Sequence, residues 1–308
     1  MTLDRPYRPE DAAAVAGLLN TVARAGGAGL ELPAEAIGNV VRAEIADPGA
    51  DTRLITDAGG RLLAVALVRL PPAGGFRARL TGGVRPGLRG AGLGRELLTW
   101  QLGRAAARHA EIAPNLPWTA EVDAGADDAS ARRLYERLGF TVERFFFEMT
   151  APTASPAVPR PVEDLRVVPY APDRERAVHA AHLAAFHDSW GHQPRSFEAW
   201  AAMTVRAGTF LPGLARLALA GDEVVGHLLP YSDAPRTVYL GELGTVPAWR
   251  RRGVGRALLA AFLPAAGRSG YAEAALETDA AGPAGASSLY ANAGFAIGHR
   301  IAVYRRPV

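Results

Sequence analysis

The sequence has no cysteine among its 308 residues. Such a chain has no disulfide framework, no thiolate nucleophile and no cysteine metal site. It also carries little excess charge, with a formal net charge of only +3. A dedicated nucleic-acid-binding protein would have more basic residues, and they would be clustered. The composition therefore excludes thiol chemistry and argues against a nucleic-acid partner.

Long hydrophobic runs are also missing. No stretch approaches the roughly 20 apolar residues that a membrane-spanning helix needs, and the N-terminal segment lacks the basic stretch and apolar core of a secretory signal. We therefore expect a cytoplasmic protein without a membrane partner. Hydrophobic residues make up 49% and charged residues 21% of the chain, which is ordinary for a globular protein. The length favours two domains of about 150 residues.

Four of the seven histidines form a loose group, which consists of His179, His182, His187 and His192. A metal site is the least favoured interpretation of this group, because no acidic or cysteine ligand completes it. We expect no bound metal.

The most informative stretch runs from Val246 to Phe262. A predicted strand, TVYLGELGTV, leads into a basic turn with two glycines, Gly253 and Gly255, and the turn leads into an apolar-periodic helix. This order directs free backbone N–H groups and the positive end of a helix dipole at one point. Such a point binds an anion, and the neighbouring arginines favour a phosphate.

The same arrangement occurs twice in the chain. In the first half, Arg89, Gly92 and Gly94 repeat the spacing of the basic turn, and LYERLGF at 134–140 repeats LYANAGF at 289–295. In both halves we predict a short initial extended segment, two helices, a hairpin, a long strand, the turn with its helix, and then a strand, a helix and a strand. Two long-period copies of one element order indicate a duplication. Each copy predicts an α/β domain with a mixed sheet.

Between the copies lies APTASPAVPRP, at residues 151–161, which is rich in proline and small residues. This composition is typical of an extended connector. We therefore expect domains at 1–150 and 162–308 with a linker at 151–161.

The R-x-x-G-x-G turn after a strand, followed about forty residues later by LY-x-x-x-GF, resembles the GCN5-related N-acetyltransferase (GNAT) superfamily. Because both halves match, the chain resembles a tandem GNAT protein, an arrangement shared by the mycothiol synthases. The resemblance implies two domains, each a mixed, largely antiparallel twisted sheet flanked by helices.

The resemblance also implies acetyl-CoA as the cofactor. In this family the turn holds the pyrophosphate, and the strand before it pairs its backbone with the pantetheine arm where the sheet splays open. Main-chain atoms of Thr245 and Val246 would contact pantetheine. The implied pyrophosphate residues are Arg250, Arg251, Arg252, Gly253, Val254 and Gly255 in the second half, and Arg89, Gly90, Ala91, Gly92, Leu93 and Gly94 in the first.

Two catalytic residues follow from the resemblance. Glu242, on the strand before the turn, matches the place where family members often have a general base, and Tyr290 matches the tyrosine that protonates the leaving thiolate. The alternatives without a catalytic role are a solvated charge on an edge strand for Glu242 and a packed core aromatic for Tyr290. Without cysteine, we expect direct transfer in a ternary complex rather than an acyl-cysteine route.

The two halves differ at this point. Tyr135 corresponds to Tyr290, but the strand FRARLTGGV has Arg77, Arg79 and Thr81 where the second half has Glu242. We therefore expect catalysis in the second half, and a structural, vestigial or regulatory first half. The asparagine that family members often have eight residues before the tyrosine is Asp127 in one half and Gly282 in the other, which departs from the family pattern.

The segment from Ala185 to Trp200 joins the two early helices of the second half, and in this superfamily that segment lines the acceptor pocket. The implied acceptor-binding residues are His187, Asp188, Trp190 and His192. The alternative is a surface loop over a packed tryptophan. Arg305 and Arg306 are expected to form a solvated tail.

The leading function is transfer of an acetyl group from acetyl-CoA to a primary amine of a small molecule. A mycothiol-synthase-like role and a non-catalytic CoA-sensing role remain alternatives. A phosphate-loop nucleotide hydrolase is disfavoured because the turns lack the Lys-Ser/Thr pair. Since the two halves can pair as a pseudo-dimer, we expect a monomer.

Overall fold

A computed structural model describes residues 2–29, 31–154, 162–234, 236–282 and 286–308. The chain forms two compact units. Unit 1 contains Met1–Phe146 together with His299–Val308, and unit 2 contains Phe147–Gly298. The predicted linker falls largely on residues 155–161, which lie outside the described residues, so the boundaries 1–150, 151–161 and 162–308 remain a prediction.

The first half of the chain follows the predicted order of strands and helices, with one additional four-residue helix before the hairpin. The elements are β1 Leu3–Arg5, α1 Ala12–Ala25, α2 Ala34–Glu44, α3 Pro48–Asp51, β2 Thr52–Thr56, β3 Leu62–Arg69, β4 Arg77–Val84, α4 Leu93–Ile112, β5 Thr119–Gly125, α5 Ala129–Arg137 and β6 Thr141–Pro152.

The second half repeats this order. Its elements are β7 Arg166–Pro169, α6 Glu175–Phe186, α7 Phe197–Met203, β8 Arg216–Ala220, β9 Glu223–Ala234, β10 Thr237–Thr245, α8 Val254–Arg268, β11 Glu273–Asp279, α9 Ala286–Asn292 and β12 Ala296–Pro307.

Each unit contains one mixed sheet. The strand order is β1-β2-β3-β4-β5-β12 in unit 1 and β7-β8-β9-β10-β11-β6 in unit 2. The recorded pairs are antiparallel except for two parallel ones, β4 with β5 and β10 with β11. The predicted fold class, a mostly antiparallel sheet flanked by helices, is confirmed.

One of the two strands beside β5 comes from the other half of the sequence. Ile301 to Pro307 of β12 pair antiparallel with Gly125 to Thr119 of β5. In unit 2, the corresponding place beside β11 is taken by β6, of which Phe147–Pro152 belong to that unit. Each unit is thus completed by the strand that closes the other half of the chain.

Apolar side chains pack on both faces of each sheet. In unit 2, α8 presents Leu258, Leu259, Phe262 and Leu263, which are fully buried and recur at the spacing of one helix face. Trp200 of α7 packs in a separate cluster with residues of α6, β8 and β9. Burial of each such large side chain contributes about 1.5–3 kcal/mol relative to leaving it in water. The two clusters hold β10 between α8 on one face and α6 on the other.

The expectation of a solvated tail is wrong for Arg305, which is only 8% exposed. Its Nε lies 2.9 Å from Oε2 of Glu121, a carboxylate that also contacts Arg79 at 2.9 Å and Arg77 at 3.3 Å. Burial raises the pKa of Glu121, but the three guanidinium groups outweigh burial and lower it. The pairing of β12 with β5 places Arg305 opposite Glu121. Because the two residues are 184 positions apart in the sequence, the sequence does not predict this contact. Arg306 is half-buried and donates to the carbonyl of Leu138.

Within the described ranges, no helix combines the length and apolar content needed to cross a bilayer.

Candidate active site

The parallel strands of each unit pair only at their beginnings. In unit 2, β10 and β11 pair over Thr237–Tyr239, and β10 then continues to Thr245 paired with β9 on its other side. In unit 1, β4 and β5 pair over Arg77–Arg79. Each sheet therefore opens toward the glycine-bearing turn, as expected from the sequence.

The turn after β10 has the backbone of an anion site. A short 3-10 turn, Pro247–Trp249, follows the strand, and Gly253 then begins α8 with a φ of +93°. Arg251 has a φ of +64°, in the left-handed region that non-glycine residues rarely occupy. Together these residues turn the chain sharply into α8, whose first N–H groups have no partner within the helix and could bind an anion.

Arg250 does not extend freely from this turn. Its guanidinium forms a two-pronged pair with Asp188, at 2.6 and 2.9 Å, and donates to the carbonyl of Ala185 at 2.8 Å. This pairing lowers the pKa of Asp188 to about 2. Arg252 instead stacks 4.9 Å above the ring of Trp249. Arg250 therefore anchors the turn to the end of α6.

The predicted pantetheine contacts have partners of their own. The N–H of Val246 donates to the carbonyl of Val225 at 3.0 Å, and the carbonyl of Thr245 lies 3.4 Å from Nε of Arg250. A contact between Val246 and pantetheine would therefore use the carbonyl rather than the N–H group.

A β-bulge in β10 sets the direction of Glu242. Leu240 lies opposite Pro230 and Glu242 opposite Leu229, so Gly241 is the extra residue. Without it, Glu242 would share a face with Val238 and Leu240, which pack in the α8 cluster. The bulge reverses the alternation and turns Glu242 toward α6. A Cβ at Gly241 would lie 2.5 Å from the ring of Tyr231, so glycine is required here.

Glu242 meets two histidines on this face. Its Oε2 atom lies 3.0 Å from Nδ1 of His182 on α6 and 3.4 Å from Nε2 of His227 on β9. Burial raises the pKa of Glu242, but the two histidine contacts outweigh burial and bring it down to about 2. Since an ionised carboxylate only accepts hydrogen bonds, Nδ1 of His182 carries the proton of this contact.

His227 is fully buried. Within the described part of the chain, neither of its ring nitrogens makes a well-formed hydrogen bond, and the 3.4 Å contact with Glu242 is longer than one.

A metal site was disfavoured because no acidic ligand completes the group of histidines. This argument is wrong, because Glu242 places a carboxylate beside His182. The three ligand atoms lie within 4.8 Å of one another, a set that a divalent cation could bridge. Metal-bound imidazoles usually donate their other ring N–H to an acceptor, however, and Nδ1 of His227 has none among the described residues.

Aromatic rings surround His182. The ring centroids of Phe186, Trp200 and His192 lie 5.0, 5.7 and 5.9 Å from that of His182. His192, predicted as an acceptor-site residue, therefore lies beside Glu242's partner. His187 is exposed and its Nδ1 contacts the carbonyl of Ala184.

The other predicted acceptor-site residues lie around the same segment. Asp188 pairs with Arg250, as described above, and Trp190 is half-buried. The acceptor-binding roles of His187, Asp188, Trp190 and His192 remain predictions.

Tyr290 on α9 is buried, with 9% of its surface exposed, and its ring packs against Phe295. Burial raises its pKa to about 12, so the phenol keeps its proton at neutral pH. Its hydroxyl has no hydrogen-bond partner among the described residues. In unit 1 the corresponding hydroxyl, that of Tyr135, donates to the carbonyl of Asp123 at 3.2 Å. The two tyrosines therefore differ in the availability of the hydroxyl group.

Unit 1 replaces the histidine–carboxylate group with other side chains. Leu19 lies ten residues after Pro9, as His182 lies ten after Pro172. Val65 pairs with Gly83 as His227 pairs with Gly244. Thr81 stands five residues before Pro86, as Glu242 does before Pro247. Leu19 and Val65 are both buried in an apolar cluster.

The end of α1 lies across the opening of the unit 1 sheet. A Cβ at Gly83 of β4 would lie 2.9 Å from Val22, and one at Gly125 of β5 would lie 1.9 Å from the carbonyl oxygen of Gly26. The helix terminus thus contacts both strands where they diverge. In unit 2, Ala185 takes the place of Val22, and a Cβ at Gly244 would lie 3.1 Å from Ala185 and 2.4 Å from the ring of His227.

The turn of unit 1 keeps the backbone of its counterpart. Gly90 and Gly92 both have a φ of +89°, and Gly92 begins α4. Arg89 contacts Ser130 at 3.2 Å and Asp128 at 3.3 Å. A cleft of about 480 Å³ lies over this turn, lined by Ala91, Gly92, Leu93, Arg95, Glu96 and Thr99.

Comparison with known proteins decides the family. The family model described as the acetyltransferase (GNAT) family matches residues 32–140 and 176–295, one match in each half. The chain belongs to the GNAT family. It is a tandem GNAT protein with two GNAT domains, and the family supports acyl transfer as its general chemistry.

Solved structures with the same architecture extend over nearly the whole chain. A GCN5-related N-acetyltransferase from Sphaerobacter thermophilus is 28% identical, with a TM-score of 0.79 over 99% of this chain and 95% of that one. A tandem GNAT protein from the clavulanic acid biosynthesis pathway, solved without AcCoA, is 17% identical, with a TM-score of 0.75 over 100% and 98%. A GCN5-related N-acetyltransferase from Kribbella flavida is 17% identical, with a TM-score of 0.54 over 93% and 96%. None of the curated proteins compared with this GNAT chain matches it.

The catalytic role of Glu242 in this GNAT domain remains a prediction, and the sequence does not predict its contacts with His182 and His227. His182 was noted only as one of a loose group of histidines, and His227 was not singled out. The sequence does contain a signal for both, because each histidine interrupts an apolar segment. His182 lies among alanines and a leucine on α6, and His227 lies within the strand VVGHLL.

Proposed function

We propose that the protein is an acetyl-CoA-dependent N-acetyltransferase that transfers the acetyl group directly to a primary amine of a small molecule, and that the second domain is the catalyst. The observation that carries this proposal is the ionised Glu242, held by His182 and His227 where β10 leaves β11. A protonated amine must lose a proton before it attacks a thioester. This group of side chains supplies a proton acceptor at the opening through which the pantetheine arm would enter.

The rest of the site fits the same reaction. The turn from Arg250 to Gly255 offers backbone N–H groups for the pyrophosphate, and N–H groups of β10 beyond Tyr239 can stabilise the charge that develops on the thioester oxygen. Tyr290 remains protonated at neutral pH and has a hydroxyl available for the leaving thiolate. Because the chain has no cysteine, it cannot form an acyl-cysteine intermediate, and direct transfer in a ternary complex is the favoured route.

Unit 1 supports this division of roles. It lacks the carboxylate and both histidines, the hydroxyl of Tyr135 is engaged with Asp123, and the end of α1 contacts both diverging strands. Arg89 to Gly94 keep a turn that could hold a phosphate. We propose that the full cofactor binds to unit 2 and that one molecule is bound per chain.

Calorimetric titration of acetyl-CoA into the purified chain tests the proposal. Gly253→Asp and Gly92→Asp form a matched pair, because both glycines begin a helix with a φ near +90°. We expect one site in the wild type, lost with Gly253→Asp and kept with Gly92→Asp. Two sites would make unit 1 a ligand-binding domain, and no binding would overturn the acetyltransferase proposal. Binding without transfer to any amine would favour the CoA-sensing alternative.

A further inference from the structure

Glu242 is poorly suited to keep a proton taken from an amine. Its contacts with His182 and His227 outweigh burial and lower its pKa to about 2, so the carboxylate is ionised at neutral pH. General bases work best when their pKa lies near the working pH. The group that accepts the proton is therefore better sought among the partners of Glu242.

Of the two histidines, only His182 can meet a substrate. His227 is fully buried behind the carboxylate, whereas the side chain of His182 is 17% exposed. The Nδ1 proton of His182 is directed at Glu242, which leaves Nε2 without a proton in the neutral ring. No described residue forms a hydrogen bond with this Nε2 atom.

The orientation of His182 is fixed from several sides. Glu242 holds one edge of the ring at 3.0 Å, and the rings of Phe186, His192 and Trp200 lie within 6 Å. A histidine oriented by a carboxylate at one nitrogen and free at the other is the arrangement in which imidazole serves as a base.

We propose that His182 is the general base of the acetyl transfer and that Glu242 is a positioning residue that acts through it. This proposal rests on the proposed function. Nε2 of His182 takes one proton from the substrate ammonium group, and the freed nitrogen forms a bond to the acetyl carbon. The C–S bond then breaks, and Tyr290 gives its proton to the CoA sulfur. The second proton lost by the amide nitrogen replaces the one given by Tyr290, and His182 releases its proton to solvent.

His182→Asn is the most direct variant, because the amide of asparagine can donate to Glu242 as Nδ1 does but has no basic nitrogen. His299→Gln is a matched control, since His299 is an exposed histidine on β12. The first readout needs no acceptor. In spectra of the ¹⁵N-histidine-labelled chain, the signal missing from His182→Asn identifies His182. We expect its neutral ring to carry the proton on Nδ1, and this preference to weaken in Glu242→Gln. The opposite tautomer would overturn the proposal.

The second readout is the pH dependence of kcat/KM. Ethanolamine, glucosamine, spermidine, benzylamine and lysine serve as amine probes, with thiol release as the signal, and the fastest amine is used. We expect the wild type to show an acid limb, because a protonated base cannot accept the proton of the amine. His182→Asn should lower kcat/KM by about 10²–10⁴-fold and remove this limb, whereas Glu242→Gln should keep a limb displaced to lower pH.

The other titratable groups that face His182 are His179 on its own helix, His192 in the next segment, and His227 and Glu242 on the strands. His179→Asn should keep the acid limb, because Nε2 of His179 is already bound to the carbonyl of Arg195 at 3.0 Å. An acid limb that survives in His182→Asn and vanishes in Glu242→Gln would identify Glu242 as the base and overturn the proposal. Absence of transfer from bound acetyl-CoA to every probe would instead overturn the proposed function.

Discussion

Glu242 and His182 come within 3.0 Å of each other because one extra residue, Gly241, reverses the side-chain alternation of β10. The carboxylate would otherwise point into the apolar cluster beneath α8. The contact thus depends on a local irregularity of the backbone rather than on the regular geometry of the strand. It joins two elements that are 60 residues apart in the sequence.

Replacing Glu242 with glutamine should lower kcat by about 10-fold or more, because Nδ1 of His182 loses its carboxylate partner, whereas the larger loss of about 10²–10⁴-fold is expected for His182, the proton-transfer group itself. The binding of acetyl-CoA should not change, because the turn at Gly253 remains intact. Steady-state kinetics and calorimetry measure the two quantities. Glu223→Gln is the matched control, as Glu223 is an exposed glutamate on the neighbouring strand β9, and it should behave as wild type. Equal activity of the two variants would contradict the role of Glu242.

Tyr290→Phe should lower kcat by about 10- to 100-fold because the thiolate would then leave without a proton donor. Tyr135→Phe removes the corresponding hydroxyl of unit 1 and should leave kcat unchanged. The same assay of thiol release measures both. If Tyr135→Phe were the more damaging substitution, catalysis would have to be assigned to unit 1.

The pair formed by Asp188 and Arg250 should make stability depend on pH in acid. Arg250 lowers the pKa of Asp188 to about 2, below the ordinary value of about 3.9. The contribution of this ion pair to the free energy of unfolding is therefore present above about pH 4 and is lost as the pH falls toward 2. Asp188→Asn should therefore be less stable than wild type at pH 7, by up to about 1 kcal/mol for this exposed pair, and the difference should shrink at low pH. Urea unfolding at several pH values measures it. Asp222→Asn, at an exposed turn, should show no such pH-dependent difference.

Glu121→Gln should destabilise the chain by about 3–5 kcal/mol, because it removes the buried carboxylate that the largely buried guanidinium groups of Arg77 and Arg305 contact. Glu143 also contacts Arg305, at 3.4 Å, but 42% of its side chain is exposed. Glu143→Gln should therefore cost at most about 1 kcal/mol. Urea unfolding at pH 7 measures the free energy of unfolding of both variants. Equal losses of stability would show that the buried ion pairs of Glu121 stabilise the chain no more than the exposed pair of Glu143.

The local features of the fold could be predicted from the sequence. The two glycine-bearing turns, the hairpins and the apolar face of α8 are encoded in short segments, and they lie where the sequence places them. Glu242 was found for the same reason, since its place is fixed relative to the turn that follows it.

Long-range contacts could not be predicted in this way. His182 and His227 reach Glu242 only through the packing of α6 on the sheet and through the pairing of β9 with β10, and no short pattern encodes either distance. Arg305 was misjudged because its partner, Glu121, is 184 residues away. The bulge at Gly241 is visible as a glycine in a strand, but its effect on the face of the next residue depends on the pairing with β9.

The exchange of closing strands has a consequence for how the chain is made. His299–Val308 follow every other residue of this sequence in translation, yet they pair with β5 in unit 1. Unit 1 therefore cannot be completed on the ribosome before unit 2 has been synthesised, and until then β5 exposes an edge that is open to wrong pairing. A gene cut between the two halves would yield two fragments, each without the strand that completes its unit and each with a closing strand that belongs to the other unit. The two halves therefore depend on each other for their closing strands, although each keeps the order of elements of a separate domain.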